Sequence, residues 1–125
     1  MTDNIKEKIE DKIIDLINAG AGGRLVIFKP EKSDKDLVVE KRGDYKAKPI
    51  SLKIYDKADF PQNEKPVQDG NFYLVFAHFD IIKQNIEDSI FIVPSLKFTG
   101  LDDISKFLVN KKDIGKFLME ALDKR

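Results

Sequence analysis

Cysteine is absent from this 125-residue sequence, which excludes disulfide bonds and thiolate metal sites. Only one histidine is present, so a metal site built from several imidazoles is excluded as well. No apolar run approaches the roughly 20 residues of a membrane span, and the charged N-terminus has no signal-peptide core. We therefore expect a cytoplasmic protein with no membrane partner.

The sequence also has no net charge, since 22 Lys and Arg balance 22 Asp and Glu. A non-specific nucleic-acid binder is usually basic overall. The charge is unevenly spread, however: residues 24–57 hold ten basic against six acidic residues, and residues 58–100 hold three against six. The basic excess indicates candidate DNA contacts or, alternatively, a solvated turn. The candidates are Lys41, Arg42, Lys46 and Lys48.

The length predicts a single domain over residues 1–125. Apolar residues recur at helical spacing over residues 3–18 and in a strong C-terminal stripe from Ile114 to Leu122, with a shorter helix predicted near residues 102–108. Strand patterns cover residues 24–28, 36–40, 50–55, 71–82 and 89–93. We predict an α/β (α+β) domain: a mixed, mostly antiparallel five-strand sheet, an N-terminal helix, and C-terminal helices that cover one sheet face.

Residues 36–57 predict a β-hairpin whose register follows from its alternating apolar residues. The simplest register pairs Val39 with Leu52. Glu40 then lies opposite Ser51, and Lys53 becomes a diagonal neighbour of both Asp36 and Glu40. Two carboxylates and a lysine would therefore gather on one face of the hairpin.

This cluster of Asp36, Glu40 and Lys53 has two interpretations. In the catalytic one, Asp36 and Glu40 hold Mg²⁺, and Lys53 steadies the attacking water or the developing negative charge. In the other, the three are cross-strand charge pairs on a solvated face, each contributing at most about 1 kcal/mol. His78 with Asp80 is a further candidate acid–base pair, because alternate residues of a strand point the same way.

An acidic residue that opens one strand, followed by an acidic-x-Lys on the next, resembles the PD-(D/E)XK nuclease superfamily. In that resemblance Asp36 matches the first acidic residue and Lys53 matches the lysine, while the second acidic residue falls on Ser51. The resemblance implies a restriction-endonuclease-like fold with a degenerate active site and a metal-dependent role in DNA binding or cleavage. The alternative function is a non-catalytic module for protein interaction or self-association as a homo-oligomer.

Overall fold

The computed structural model describes residues 2–31, 35–43, 48–57 and 69–124, with side chains from residue 5 onward. Short 3-10 helices span Ser95–Lys97, Leu101–Phe107 and Lys111–Asp113. The α-helices and strands are α1 (Thr2–Ala21), β1 (Leu25–Phe28), β2 (Leu37–Lys41), β3 (Ile50–Asp56), β4 (Phe72–Ala77), β5 (Phe79–Asp80), β6 (Asn85–Ile86), β7 (Ser89–Pro94), β8 (Leu108–Asn110) and α2 (Ile114–Asp123).

The main sheet has six strands in the order β1-β2-β3-β4-β7-β8. Only β3 and β4 are parallel among its neighbouring strands in the described part of the chain; the other pairs are antiparallel. The predicted α+β class and mixed, mostly antiparallel sheet are thus confirmed, with one strand more than expected. Strands β5 and β6 form a separate two-stranded hairpin.

One face of the sheet, the helix face, is covered by α1 and α2. Helix α1 buries Ile9, Ile13 and Ile17 completely against strand residues such as Leu52, as expected for an apolar stripe at helical spacing. The helix ends at Ala21, and the next residue, Gly22, has a φ of 60°, the left-handed conformation that glycine adopts at low cost.

The opposite face, the aromatic face, carries a second apolar cluster. Phe72, Leu74 and Phe76 of β4 point into it, while Val75 and Ala77 of the same strand contact the helix-face cluster. Strand β4 is therefore buried on both sides, as the sequence predicted for residues 71–82. The expected single strand nevertheless ends at Ala77, and the chain turns away into the β5–β6 hairpin.

The C-terminal elements differ from the prediction. Residues Leu101–Phe107 form a 3-10 helix followed by edge strand β8, instead of an α-helix. Ile104 of this segment packs on the aromatic face, whereas Leu118 of α2 packs on the helix face. The two elements therefore do not cover the same sheet face, and that expectation was wrong.

The hairpin register is shifted by two residues from the predicted one. Val39 lies opposite Ile50, Val38 opposite Ser51, and Leu37 opposite Leu52. The prediction failed because a two-residue slip keeps every side chain on the same face, so alternation alone cannot distinguish the two registers.

Candidate functional site

Asp36 lies one residue before β2 and continues the ladder between β2 and β3. Its backbone N–H donates to the carbonyl of Leu52 over 2.8 Å, and its carboxylate Oδ2 accepts from the backbone N–H of Ile54 over 2.7 Å. The side chain is 13% exposed. The carboxylate thus occupies the position of a strand carbonyl, which holds it at the end of the sheet.

Two lysines approach the other oxygen of the same carboxylate. Lys53 Nζ lies 3.9 Å from Asp36 Oδ1, and Lys6 Nζ lies 3.2 Å from it. Leu52 and Ile54, the neighbours of Lys53 on β3, are buried on the helix face, so the Lys53 side chain projects from the aromatic face. Lys6 belongs to α1 and reaches Asp36 from the helix face. The predicted contact between Asp36 and Lys53 is therefore present, with a second lysine added.

Glu40 does not join this group. It is exposed and pairs across the sheet with Val26 of β1. Glu40 is four residues from Asp36 along β2, which corresponds to about 13 Å. The structure therefore does not assemble the predicted metal-binding pair of Asp36 and Glu40, because both lie along the same strand. The observed register also moves Glu40 past Ser51, away from Lys53.

The predicted DNA contacts are placed separately. Lys41 Nζ lies 2.7 Å from Asp123 Oδ1 of α2, and Arg42 Nε donates to the carbonyl of Gly23 over 2.8 Å. Both side chains tie the sheet to the helix ends. Lys46 lies outside the described residues, and Lys48 lies two residues before β3.

Lys48 lines a pocket of about 190 Å³ on the aromatic side of β3. We call it the basic pocket. Ser51, where the resemblance would place a second acidic residue, lines it too and is 5% exposed. The complete lining is Lys35, Lys48, Pro49, Ser51, Asp69, Asn71 and Phe72. Asp69 is the one acidic residue of this lining, and its carboxylate accepts from the backbone N–H of Asn71 over 2.8 Å.

Glu10 of α1 is a member of the site that the sequence analysis missed. Its side chain is 13% exposed and lies 3.6 Å from Lys29 Nζ. Burial and the nearby Asp36 carboxylate raise the pKa of Glu10, and the charges of Lys29 and Lys6 oppose this rise. The sequence offered one indication of this role: Glu10 lies one helical turn after Lys6 and next to Ile9, a residue of the buried stripe.

The proximity of Glu10 and Asp36 gives a direct prediction. In wild type the pKa of Glu10 should lie above its ordinary value of 4.5. Asp36→Asn should lower it, because this change removes a neighbouring negative charge and keeps an oxygen acceptor for Ile54. Carbon-detected NMR titration of the Glu10 carboxyl measures both values.

The matched control is Glu40→Gln, which removes the same charge from the same strand at about 13 Å from Asp36. It should leave the Glu10 titration unchanged. Equal shifts in the two variants would contradict a local coupling. Because the folded-state pKa is raised, Glu10 contributes most to stability below its unfolded pKa, and this contribution is lost as pH rises through the folded pKa.

The Mg²⁺ implied by the resemblance does not fit these residues as they stand. Both oxygens of Asp36 are engaged, one by a backbone N–H and one by Lys6 and Lys53. Glu10 is paired with Lys29. Within the described residues, no three His, Asp or Glu side chains form a group that could hold a metal.

The candidate pair of His78 and Asp80 does not form. His78 Nδ1 lies 3.6 Å from Asp56 Oδ1, whereas Asp80 Oδ1 accepts from the backbone N–H groups of Ile82 and Lys83 over 2.9 and 3.1 Å. Asp80 thus shapes the turn of the β5–β6 hairpin, because its carboxylate is used by the backbone there.

Comparison with known proteins finds no matching family model, no similar curated protein and no similar solved structure. In the part of the chain that the structure describes, no helix is both long and apolar enough to span a membrane. The interpretation of the site therefore depends on its own geometry.

Proposed function

We propose that this chain is a degenerate nuclease-like domain that binds phosphate groups of DNA and does not hydrolyse them. Lys53 and the basic pocket provide the binding surface. Asp36 holds Lys53 in place from the neighbouring strand. The proposal keeps the PD-(D/E)XK resemblance as the origin of the arrangement and assigns this chain a binding role.

The contact between Asp36 and Lys53 carries the proposal. The two residues lie on adjacent antiparallel strands, with Asp36 immediately before β2 and Lys53 in the middle of β3. This placement agrees with the pattern behind the resemblance, in which an acidic residue begins one strand and a lysine lies on the next strand. Lys53 is 24% exposed at its side chain, so part of this side chain is accessible to a ligand.

The basic pocket supplies the second support. Lys48 and Ser51 line it, and Ser51 lies two residues before Lys53, so the two side chains leave the same face of β3. Lysine ammonium groups and a serine hydroxyl are donors that phosphate oxygens accept. A phosphate in the pocket would therefore meet the donors of Lys48 and Ser51, while Lys53 projects from the same face two residues further along β3.

The same residues argue against hydrolysis. Ser51 cannot replace a carboxylate as a ligand for a hard cation, and Glu40 lies too far away to substitute for it. Asp36 is already neutralised by lysines. The site therefore retains the means to bind a phosphate but lacks the means to activate water through a metal.

The test is fluorescence anisotropy with a labelled 20-base-pair DNA duplex in low salt and without divalent cations. Lys48→Gln and Lys53→Gln should each weaken binding about three- to ten-fold and reduce the slope of log affinity against log salt by about one. Wild type with Mn²⁺ should leave the DNA uncut on a denaturing gel.

The matched control is Lys116→Gln, which removes one exposed lysine from α2 on the opposite side of the sheet. It should bind as wild type does. Equal weakening in all three variants would mean that binding follows total charge and not this site. No wild-type binding would overturn the proposal, and cleavage that Asp36→Asn abolishes would overturn its degenerate character.

The second candidate function is a module for protein interaction or self-association, and the turn of the β5–β6 hairpin favours it. Ile81 is 63% exposed and Ile82 is 95% exposed. The turn is held by Asp80 and by Gln84, whose side-chain amide donates to the carbonyl of Ile81 over 2.6 Å. Two apolar side chains are thus presented to solvent on an ordered turn.

A further inference from the structure

Lys6 makes the shorter of the two lysine contacts to Asp36. Its Nζ lies 3.2 Å from Oδ1, against 3.9 Å for Lys53. Asp36 is 13% exposed at its side chain and Lys6 is 38% exposed. The ammonium group of Lys6 therefore occupies space on a largely buried carboxylate oxygen, where a metal ion would need to bind.

The position of Lys6 is set by the packing of α1. Ile9, Ile13 and Ile17 are fully buried against the sheet, so the rotation of the helix about its axis is determined. Lys6 lies one turn before Glu10 on this helix, pairs with Asp36, and is a positive charge close enough to Glu10 to lower the pKa of its carboxyl group. By contrast, Lys8 points elsewhere, towards Gln84 and the ring of Phe79.

The surrounding charges balance without a metal ion. Three lysines face three carboxylates in two neighbouring ion-pair groups: Lys6 and Lys53 with Asp36, and Lys29 with Glu10 and Asp11. The two groups interact through the charges of Glu10, Asp36 and Lys6. With all six ionised their charges sum to zero, and the group around Asp36 alone carries a net charge of +1, which disfavours a divalent cation there. Loss of Lys6 would leave a net charge of −1 over the other five residues, with only the more distant Lys53 ammonium group, at 3.9 Å, beside Asp36 Oδ1.

We propose that the Lys6 ammonium group is a built-in cation that excludes divalent metal from Asp36, and that removing it creates a metal site between Asp36 and Glu10. The inference goes beyond the proposed function and depends on it only in treating the Asp36 site as nuclease-like. It explains how a carboxylate pair can persist here without metal: a lysine from the first helix provides the positive charge.

The experiment is titration of Mn²⁺ into the full chain, followed by the loss of the free-ion EPR signal and by calorimetry, near pH 7 and in the absence of DNA. Lys6→Gln should bind Mn²⁺ at least about ten-fold more tightly than wild type. The double variant Lys6→Gln with Asp36→Asn should lose this gain. Lys6→Met, which keeps the apolar stem of the side chain, should reproduce the result if glutamine finds a new hydrogen bond to Asp36.

The matched control is Lys8→Gln, which removes the same charge from the same helix without touching Asp36. It should bind Mn²⁺ as wild type does. Equal affinities in the Lys6 and Lys8 variants, or wild type that already binds as tightly as Lys6→Gln, would overturn the inference. Because no DNA is present, these outcomes are independent of the anisotropy test of phosphate binding.

Discussion

Replacing Phe76 by alanine should lower the free energy of unfolding by about 3–5 kcal/mol, the usual cost of deleting a buried phenylalanine. Phe76 lies on central strand β4 and is fully buried. Its ring stacks on Tyr55 at a centroid distance of 5.3 Å and on Phe98 at 5.7 Å. Truncation would remove both ring contacts and leave a cavity between β4 and the segment that covers the aromatic face.

Urea unfolding followed by far-ultraviolet circular dichroism measures this loss, since the sequence has no tryptophan to report by fluorescence. Domains of this size are stable by about 5–15 kcal/mol, so the variant would be marginally folded. The control is Phe28→Ala on edge strand β1, where the residue is 43% exposed. It should cost less than about 1 kcal/mol. Equal midpoints for the two variants would contradict the stacked core.

Gly115→Ala should destabilise the protein by about 2 kcal/mol, because α1 and α2 approach too closely at this point to admit a methyl group. An added Cβ would lie 2.8 Å from the carbonyl oxygen of Ile17 and 2.9 Å from the backbone nitrogen of Ala21. Both are main-chain atoms of a packed helix, so a rotamer change cannot relieve the clash. The higher helix propensity of alanine offsets at most about 1 kcal/mol of this cost.

Thermal unfolding by circular dichroism provides the measurement, with Gly70→Ala as the control. At Gly70 an added Cβ would meet only the Leu96 Cδ1 atom at 3.9 Å, an ordinary contact. That variant should remain within about 0.5 kcal/mol of wild type. Equal melting temperatures for Gly115→Ala and Gly70→Ala would contradict the close packing of α1 and α2 at Gly115.

The candidate site was predictable only where its residues lie on neighbouring strands. Asp36 and Lys53 are 17 positions apart in the sequence, and the hairpin pattern brought them together correctly. Glu40 was placed with them wrongly, because the predicted register differed by two residues. Glu10 and Lys6 belong to a helix whose rotation against the sheet is set by packing, so their approach to Asp36 had no signal in local periodicity.

The sequence by itself determined the two α-helices, the strands β1, β2, β3, β4 and β7, and their buried sides. Periodicity of 3.6 specified the apolar stripes of α1 and α2, alternation specified the strands, and unbroken hydrophobicity marked β4 as buried on both faces. Only the tertiary structure decided the strand register, the opposite faces of Ile104 and α2, and the lysines around Asp36. Periodicity specifies which side chains avoid water. A two-residue shift of a strand or a rotation of a helix changes contacts between residues distant in the sequence, and no local pattern specifies those contacts.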